Sequence, residues 1–197
     1  SAKTLPRHPL RDTEVNRLVA NLSGTQKFVR GLYSGGTFSY EALLLLENDI
    51  GPVNSPSSLK KEQKLTNIWS SKGNTVLDLG DDLFTRGRPH PMIDHRLRHD
   101  RILQEAGDQE TAIILLDVVI GYGSHHNPAR EVAVSINAAR ELAKNNNFAP
   151  IYIAFVCGTQ NDPQNQLQQE EILRGAGVIV VENNTQAVRL ASDIISR

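Results

Sequence analysis

Ser34-Gly35-Gly36-Thr37 stands between a short apolar run and an amphipathic one, and its residue types suit an anion. Where a strand turns through glycine into a helix, the first four backbone N–H groups of the helix have no internal partner. The helix dipole adds roughly half a positive charge there. A phosphate is the natural occupant of such a place. Gly35 and Gly36 would let the backbone approach it, while Ser34, Thr37 and Ser39 would add hydroxyl donors. A strand-to-helix turn of this composition also serves packing, so the turn alone leaves both readings open.

Further residues invite chemistry. Gly121, Gly123 and Ser124 form a second glycine turn ahead of a helix, and His125 and His126 follow them. A helix N-terminus disfavours imidazolium, so a neutral histidine there could accept a proton or a phosphoryl group; a polar loop pair is the alternative. Arg86, Arg88 and His90 share one loop. The two arginine guanidinium groups would hold phosphate or carboxylate in a forked manner, or else pair with Asp81 and Asp82, and His90, between two prolines, would orient a ligand. Those two acids could hold Mg²⁺ through phosphates, but adjacent loop acids are read as exposed, and no metal is expected here. His95 and His99 have the spacing of helical metal ligands, yet Arg96, Arg98 and Arg101 surround them. That segment is read as a basic, mainly exposed helix face. Asp117 interrupts an apolar run and needs partners, and Cys157 is read as buried and inert.

The elements that must position these groups alternate regularly. Residues 1–10 are a proline-containing lead-in, and a helix is expected from Asp12 to Leu22. Strands are expected at Phe28–Tyr33, Thr75–Leu79, Thr111–Ile120, Ile151–Val156 and Val178–Val181. Helices are expected at Phe38–Glu47, Met92–Ala106, Pro128–Asn145 and Gln164–Arg174, with a last one ending at Ile195. Ile50 to Asn74 is too polar for a core strand and reads as a long surface excursion. The pattern predicts an α/β domain over residues 28–197 behind an N-terminal helical extension, 1–27. Its sheet should be flavodoxin-like and doubly wound, with five parallel strands in the order 2-1-3-4-5 and helices on both faces. Ligands then bind beyond the strand C-terminal ends, between strands one and three. That geometry gathers the turns at Ser34, Gly80 and Gly121 on one rim.

A formal net charge of -1 argues against a general nucleic-acid or membrane-surface binder. The lone cysteine fits a reducing cytosol, and no apolar run approaches a membrane span. A chain that opens on Ser1 is expected to be an excised or processed piece whose partners lie beyond it.

GLYSGGTFSYEA, LDLGDDLFTRGRPHPMID and ILLDVVIGYGSHHNPA, in that order, resemble the FdrA family from about Phe28 onward. The resemblance implies the C-terminal CoA-ligase-type domain of a longer protein related to succinyl-CoA synthetase. CoA or a nucleotide would then be held through the missing N-terminal domains or a partner subunit, and a phosphate-bearing small molecule would be the ligand here. Gly35, Gly36, Thr37, Tyr40, Glu41 and Ala42 match the synthetase turn that aims a helix at a phosphohistidine. The synthetases carry that histidine in a Gly-His-Ala-Gly loop after strand four, whereas Cys157–Gly177 here contains none. FdrA-type proteins are also associated with carbamoyl transfer, from oxalurate to oxamate and carbamoyl phosphate, which suits a retained phosphate cradle. A non-catalytic interaction domain, docking through the Ile50–Asn74 excursion and Trp69, is the competing reading. A phosphoacceptor receiver is a weaker one, because Asp117 lies inside its strand.

Overall fold

The computed structural model describes residues 8–143 and 148–197. Most of the lead-in, with Pro6, and the expected helix end at Asn145 lie outside them.

All strand pairs are parallel, and the sheet has six strands: β1 (Phe28–Tyr33), β2 (Val53–Asn54), β3 (Asn74–Asp78), β4 (Thr111–Val119), β5 (Ile151–Cys157) and β6 (Ile179–Val181). Their order is β2-β3-β1-β4-β5-β6. The five expected strands thus occur in the expected order, and the expected count is corrected by β2 at one edge. This strand comes from the excursion that the sequence reading left on the surface. It pairs over just two residues, Val53 with Asn74 and Asn54 with Thr75, too few for any alternation to show. Its anchor is Val53, fully buried, a side chain whose burial contributes roughly 1.5–3 kcal/mol. A parallel bridge from Ser55 to Lys64 and burial of Ser58 and Gln63 fold the rest of the excursion back onto the domain.

Alternation along β4 shows why both faces of the sheet are covered. Ile113 and Leu115 point into one core, and Ile114, Leu116 and Val118 into the other. The first core is closed by helices α1 (Asp12–Ala20), α2 (Gly36–Ile50) and α7 (Asn184–Ser196), with Val15, Leu46 and Val188 buried. The second is closed by the short α3 (Asp82–Thr85) and by α4 (Arg96–Ala106), α5 (Pro128–Ala143) and α6 (Gln166–Gly175), with Phe84, Ile102, Ile136 and Leu173 buried. Among the described residues no helix is long and apolar enough to cross a membrane.

Helix starts differ from expectation at α2 and α4, and one short helix is additional. α2 begins at Gly36, two residues early, directly after the extended Gly35. α4 begins at Arg96 instead of Met92, because the His90 carbonyl accepts the Ile93 and Asp94 N–H groups in a separate turn. α3 was not anticipated; Asp81 caps it by accepting the Leu83 N–H at 2.8 Å.

Candidate functional site at the carboxyl rim of the sheet

Because the strands are parallel, the turns after β1, β3 and β4 leave from the same edge, and β1 sits between the other two. Ser34 ends β1 and is buried. Its N–H donates to Asp117 Oδ1 at 2.9 Å and its hydroxyl to Oδ2 at 2.7 Å. Arg98 donates to the same Oδ1 at 2.6 Å and to the Leu32 carbonyl at 2.8 Å. The Ser34 hydroxyl therefore faces inward, and what it supplies is an anchor for the turn. Beyond it, Gly35 is the extended N-cap of α2, no side chain among the described residues caps that helix, and its first turn has no acid. Among the described residues the amides of Gly36, Thr37 and Phe38 accordingly have no partner, and Gly36 and Thr37 are exposed.

The exit from β3 closes one side of this opening. Asp78 Oδ1 accepts the Gly80 N–H at 2.9 Å, while Oδ2 faces Gly36: a Cβ built there would lie 3.1 Å from it. Burial raises the Asp78 pKa; the Gly80 N–H opposes this, Asp81 and Asp117 reinforce it, and His90 opposes it. Gly80 is wedged between two loops, since a Cβ on it would come within 2.5 Å of His90 Nε2 and 2.7 Å of the Ser34 carbonyl oxygen. That contact carries His90 onto the β1 turn. The His90 ring is oriented by Nδ1, which accepts the Met92 N–H at 3.2 Å. Arg88 instead lies over the Trp69 ring, 5.6 Å from its centroid, and Trp69 meets the Phe84 ring edge-on. Arg86 is exposed, and among the described residues neither arginine pairs with Asp81 or Asp82.

The turn after β4 reaches the same rim with most of its donors committed. Gly121 N–H donates to Gln164 Oε1 at 3.0 Å, and Gln164 Nε2 donates back to the Gly121 and His125 carbonyls. The Ser124 hydroxyl donates to the Gly121 carbonyl at 3.0 Å. The start of α5 is also occupied: Gln169 accepts the Ala129 N–H and Asn127 accepts that of Arg130. Gly123 stays open beside Tyr122, which is 92% exposed. His126 is exposed and its ring lies 4.3 Å from that of His125, whose Nδ1 accepts the Asn127 N–H. The structure thus brings Ser34–Thr37 and Gly121–Ser124 to one edge, but free helix-start amides occur at the first turn and not at α5.

The family model for CoA-ligase matches residues 32–194. The chain belongs to the CoA-ligase family. It is also similar to the uncharacterized protein YahF of Escherichia coli (strain K12), with 36% identity over 195 residues. That alignment takes in 99% of this chain and 38% of YahF, so the chain spans well under half of that relative.

Within this CoA-ligase chain the loop after β5 holds no histidine; Thr159 and Asp162 close it on themselves by a 2.7 Å bond. Cys157 is half-buried, and burial, Asp117 and Asp162 all push its thiol pKa up. The expected exposed basic face of α4 is corrected: His95, Arg98 and Arg101 are buried. Arg98 meets Asp117, and Arg101 meets Glu105. Arg30, in the middle of β1, completes that second group through Glu105 at 3.1 Å and Asp108 at 2.9 Å. His95 lines up edge-on with His125, ring centroids 5.3 Å apart, and among the described residues neither of its ring nitrogens has a hydrogen-bond partner. Burial, then Arg98 and His125, hold its pKa down to about 3, with Asp94 opposing. Among the described residues no group of three or more histidine, cysteine or acidic side chains is placed to hold a metal. The sequence reading missed Arg98 and Gln164; an acid inside an apolar strand was the one signal that a cation must lie nearby.

Proposed function

We propose that this chain is the CoA-ligase-type domain of an FdrA-type, acyl-CoA synthetase-like protein of the succinyl-CoA synthetase superfamily. In this reading the start of α2 binds the phosphate of an acyl phosphate or a CoA-linked ligand. The observation that carries it is the uncapped α2 N-terminus, whose free Gly36, Thr37 and Phe38 amides open onto the rim beside His90. The donor set fits an oxyanion: the amides of the first turn and the dipole of a 15-residue helix act where no first-turn acid competes. His125, His126, Arg86 and His90 would flank the ligand, and domains or subunits corresponding to the remainder of the longer relative would supply CoA or nucleotide contacts.

Transfer of a carbamoyl group to phosphate is the second reading. It is favoured by the absence of histidine from Cys157 to Gly177, which leaves a phosphohistidine cycle without its acceptor at the expected place. Backbone donors at α2 would then stabilise charge on the phosphate instead of receiving a phosphoryl group.

Isothermal titration with inorganic phosphate, carbamoyl phosphate and CoA tests the cradle, with Gly35→Asp as the decisive variant. A Cβ at Gly35 meets nothing within 4 Å, and Gly35 already has N-cap backbone geometry. An aspartate there should cap α2 without harming the fold, take up the free amides and repel an incoming anion. Phosphate affinity should fall by about tenfold or more. Equal affinity in a well-folded Gly35→Asp variant removes the α2 cradle from the functional reading.

A further inference from the structure

The boundary between α4 and α5 holds a group of polar side chains that the carboxyl rim does not use. A cavity of about 250 Å³ opens there, lined by His95, His99 and Asp100 from α4 and its cap and by Glu131, Val134 and Ser135 from α5. His95 is the unusual member. It is 8% exposed, it lines the cavity, and among the described residues neither ring nitrogen has a hydrogen-bond partner. A buried imidazole in that state forfeits the hydrogen bonds that water would give it, so its placement against a cavity points to a ligand.

The contacts settle which atoms can accept. Ser135 Oγ donates to the Glu131 carbonyl at 2.8 Å, which uses its one proton. His99 Nδ1, 2.9 Å from the same hydroxyl oxygen, is then the donor of that pair, and His99 Nε2 is left with a lone pair. Burial, Arg98 and His125 keep His95 neutral against the pull of Asp94, so it offers one lone pair in either tautomer. Among the described residues neither the Asp100 nor the Glu131 carboxylate has a partner. The arginines that flank the two histidines in sequence are all committed to acids: Arg96, which also reaches the cavity, to Asp94, Arg98 to Asp117 and Arg101 to Glu105. The lining therefore presents acceptors and negative charge, with Val134 as an apolar wall. A metal ion is a poor match, because among the described residues no three histidine, cysteine or acidic groups converge on one point. A ligand that spans the space and donates several N–H bonds matches it.

We propose that this cleft binds a small organic cation, a primary ammonium group on a short alkyl body. His95 and His99 accept its N–H groups, Glu131 and Asp100 answer its charge, and Val134 covers the alkyl part. An ammonium carries three donors and no acceptor, the complement of this lining. The cleft is separate from the start of α2 and does not depend on the reading of that helix as an anion cradle. The edge-on contact of His95 with His125 joins it to the turn after β4.

Butylammonium is the probe, with butanol and butyrate as neutral and anionic controls of the same size. At about pH 7.5 the amine is charged, as a lysine side chain would be. Nitrogen–proton correlation spectra of the histidine rings in the whole chain report occupancy. Butylammonium should shift the His95 and His99 resonances saturably, with a dissociation constant on the order of 1–10 mM. Butanol should bind at least about tenfold more weakly, and butyrate should leave both rings unmoved. Glu131→Gln removes a charge that no described residue answers and should weaken butylammonium by about tenfold. His95→Phe should abolish the shift read at His99. Melting curves confirm that each variant is folded. Equal affinity for butylammonium and butanol overturns the cationic class of the ligand. Unchanged affinity in both variants overturns the placement of the site. Shifts produced by micromolar Ni²⁺ and not by butylammonium overturn the proposal by making the two histidines a metal pair, and rings that respond to none of these probes overturn it outright.

Discussion

Removing the carboxylate of Asp117 should do more damage than any surface change near the rim. The side chain is fully buried and accepts three hydrogen bonds, two from Ser34 and one from Arg98, which is itself 2% exposed. Asp117→Ala leaves that guanidinium without its counter-charge, at a cost of about 3–5 kcal/mol. The two orphaned Ser34 donors would each add about 1–3 kcal/mol if they stayed dry, but they share the relaxation of one turn and will not add fully. A loss near 4 kcal/mol is a large fraction of the roughly 5–15 kcal/mol typical of a folded domain. Urea denaturation of the single variants and of Arg98→Met/Asp117→Leu measures this. The double variant should recover much of the loss, because an apolar pair of matching volume replaces a buried ion pair with little penalty. Phosphate affinity should also weaken in Asp117→Ala below its unfolding midpoint, since the turn entering α2 is no longer fixed. An Asp117→Ala loss under about 1 kcal/mol, or a double variant whose cost equals the sum of the singles, refutes the reasoning.

His95 gives an acid-dependent signature. Its folded pKa is about 3 against an ordinary 6.5, so below 6.5 the unfolded chain takes up a proton that the folded chain refuses. Stability therefore drains at about 1.4 kcal/mol per pH unit, reaching about 2 kcal/mol by about pH 5. His95→Phe should lack this component, and parallel curves of urea midpoint against pH for the two proteins would contradict it. Gly80→Ala should cost about 1–3 kcal/mol, because His90 can yield but the Ser34 carbonyl is backbone. It should also weaken phosphate binding, and an unchanged melting curve would show that the loops do not interlock as described.

What could be read from residues alone followed from periodicity and punctuation. The apolar run of β4 and the Ser34–Thr37 turn each fixed an element, and the alternation of strands and helices fixed the order of five strands. β2 stayed hidden because two residues have no period, and its burial depends on Val53 meeting α2 and β3 from elsewhere. α4 was misread for a related reason. Charges at Arg98 and Arg101 look solvated until Asp117 and Glu105 are brought to them, and pairing of that kind is tertiary information. The same limit applied to the rim: two glycine turns look equivalent as strings, yet Gln164 from the next loop occupies the amide of Gly121, whereas no described side chain caps the start of α2. Asp117 was the exception, since a carboxylate within an apolar strand announces the need for a buried cation.

The two outermost strands of the sheet are its shortest, two residues in β2 and three in β6. A stray polypeptide seeking to extend the sheet would find only a couple of unpaired amides at either border before the ladder ran out. Brief borders of this kind discourage the strand-to-strand association by which open parallel sheets polymerise. The long central strands can therefore be strongly apolar without making the molecule adhesive.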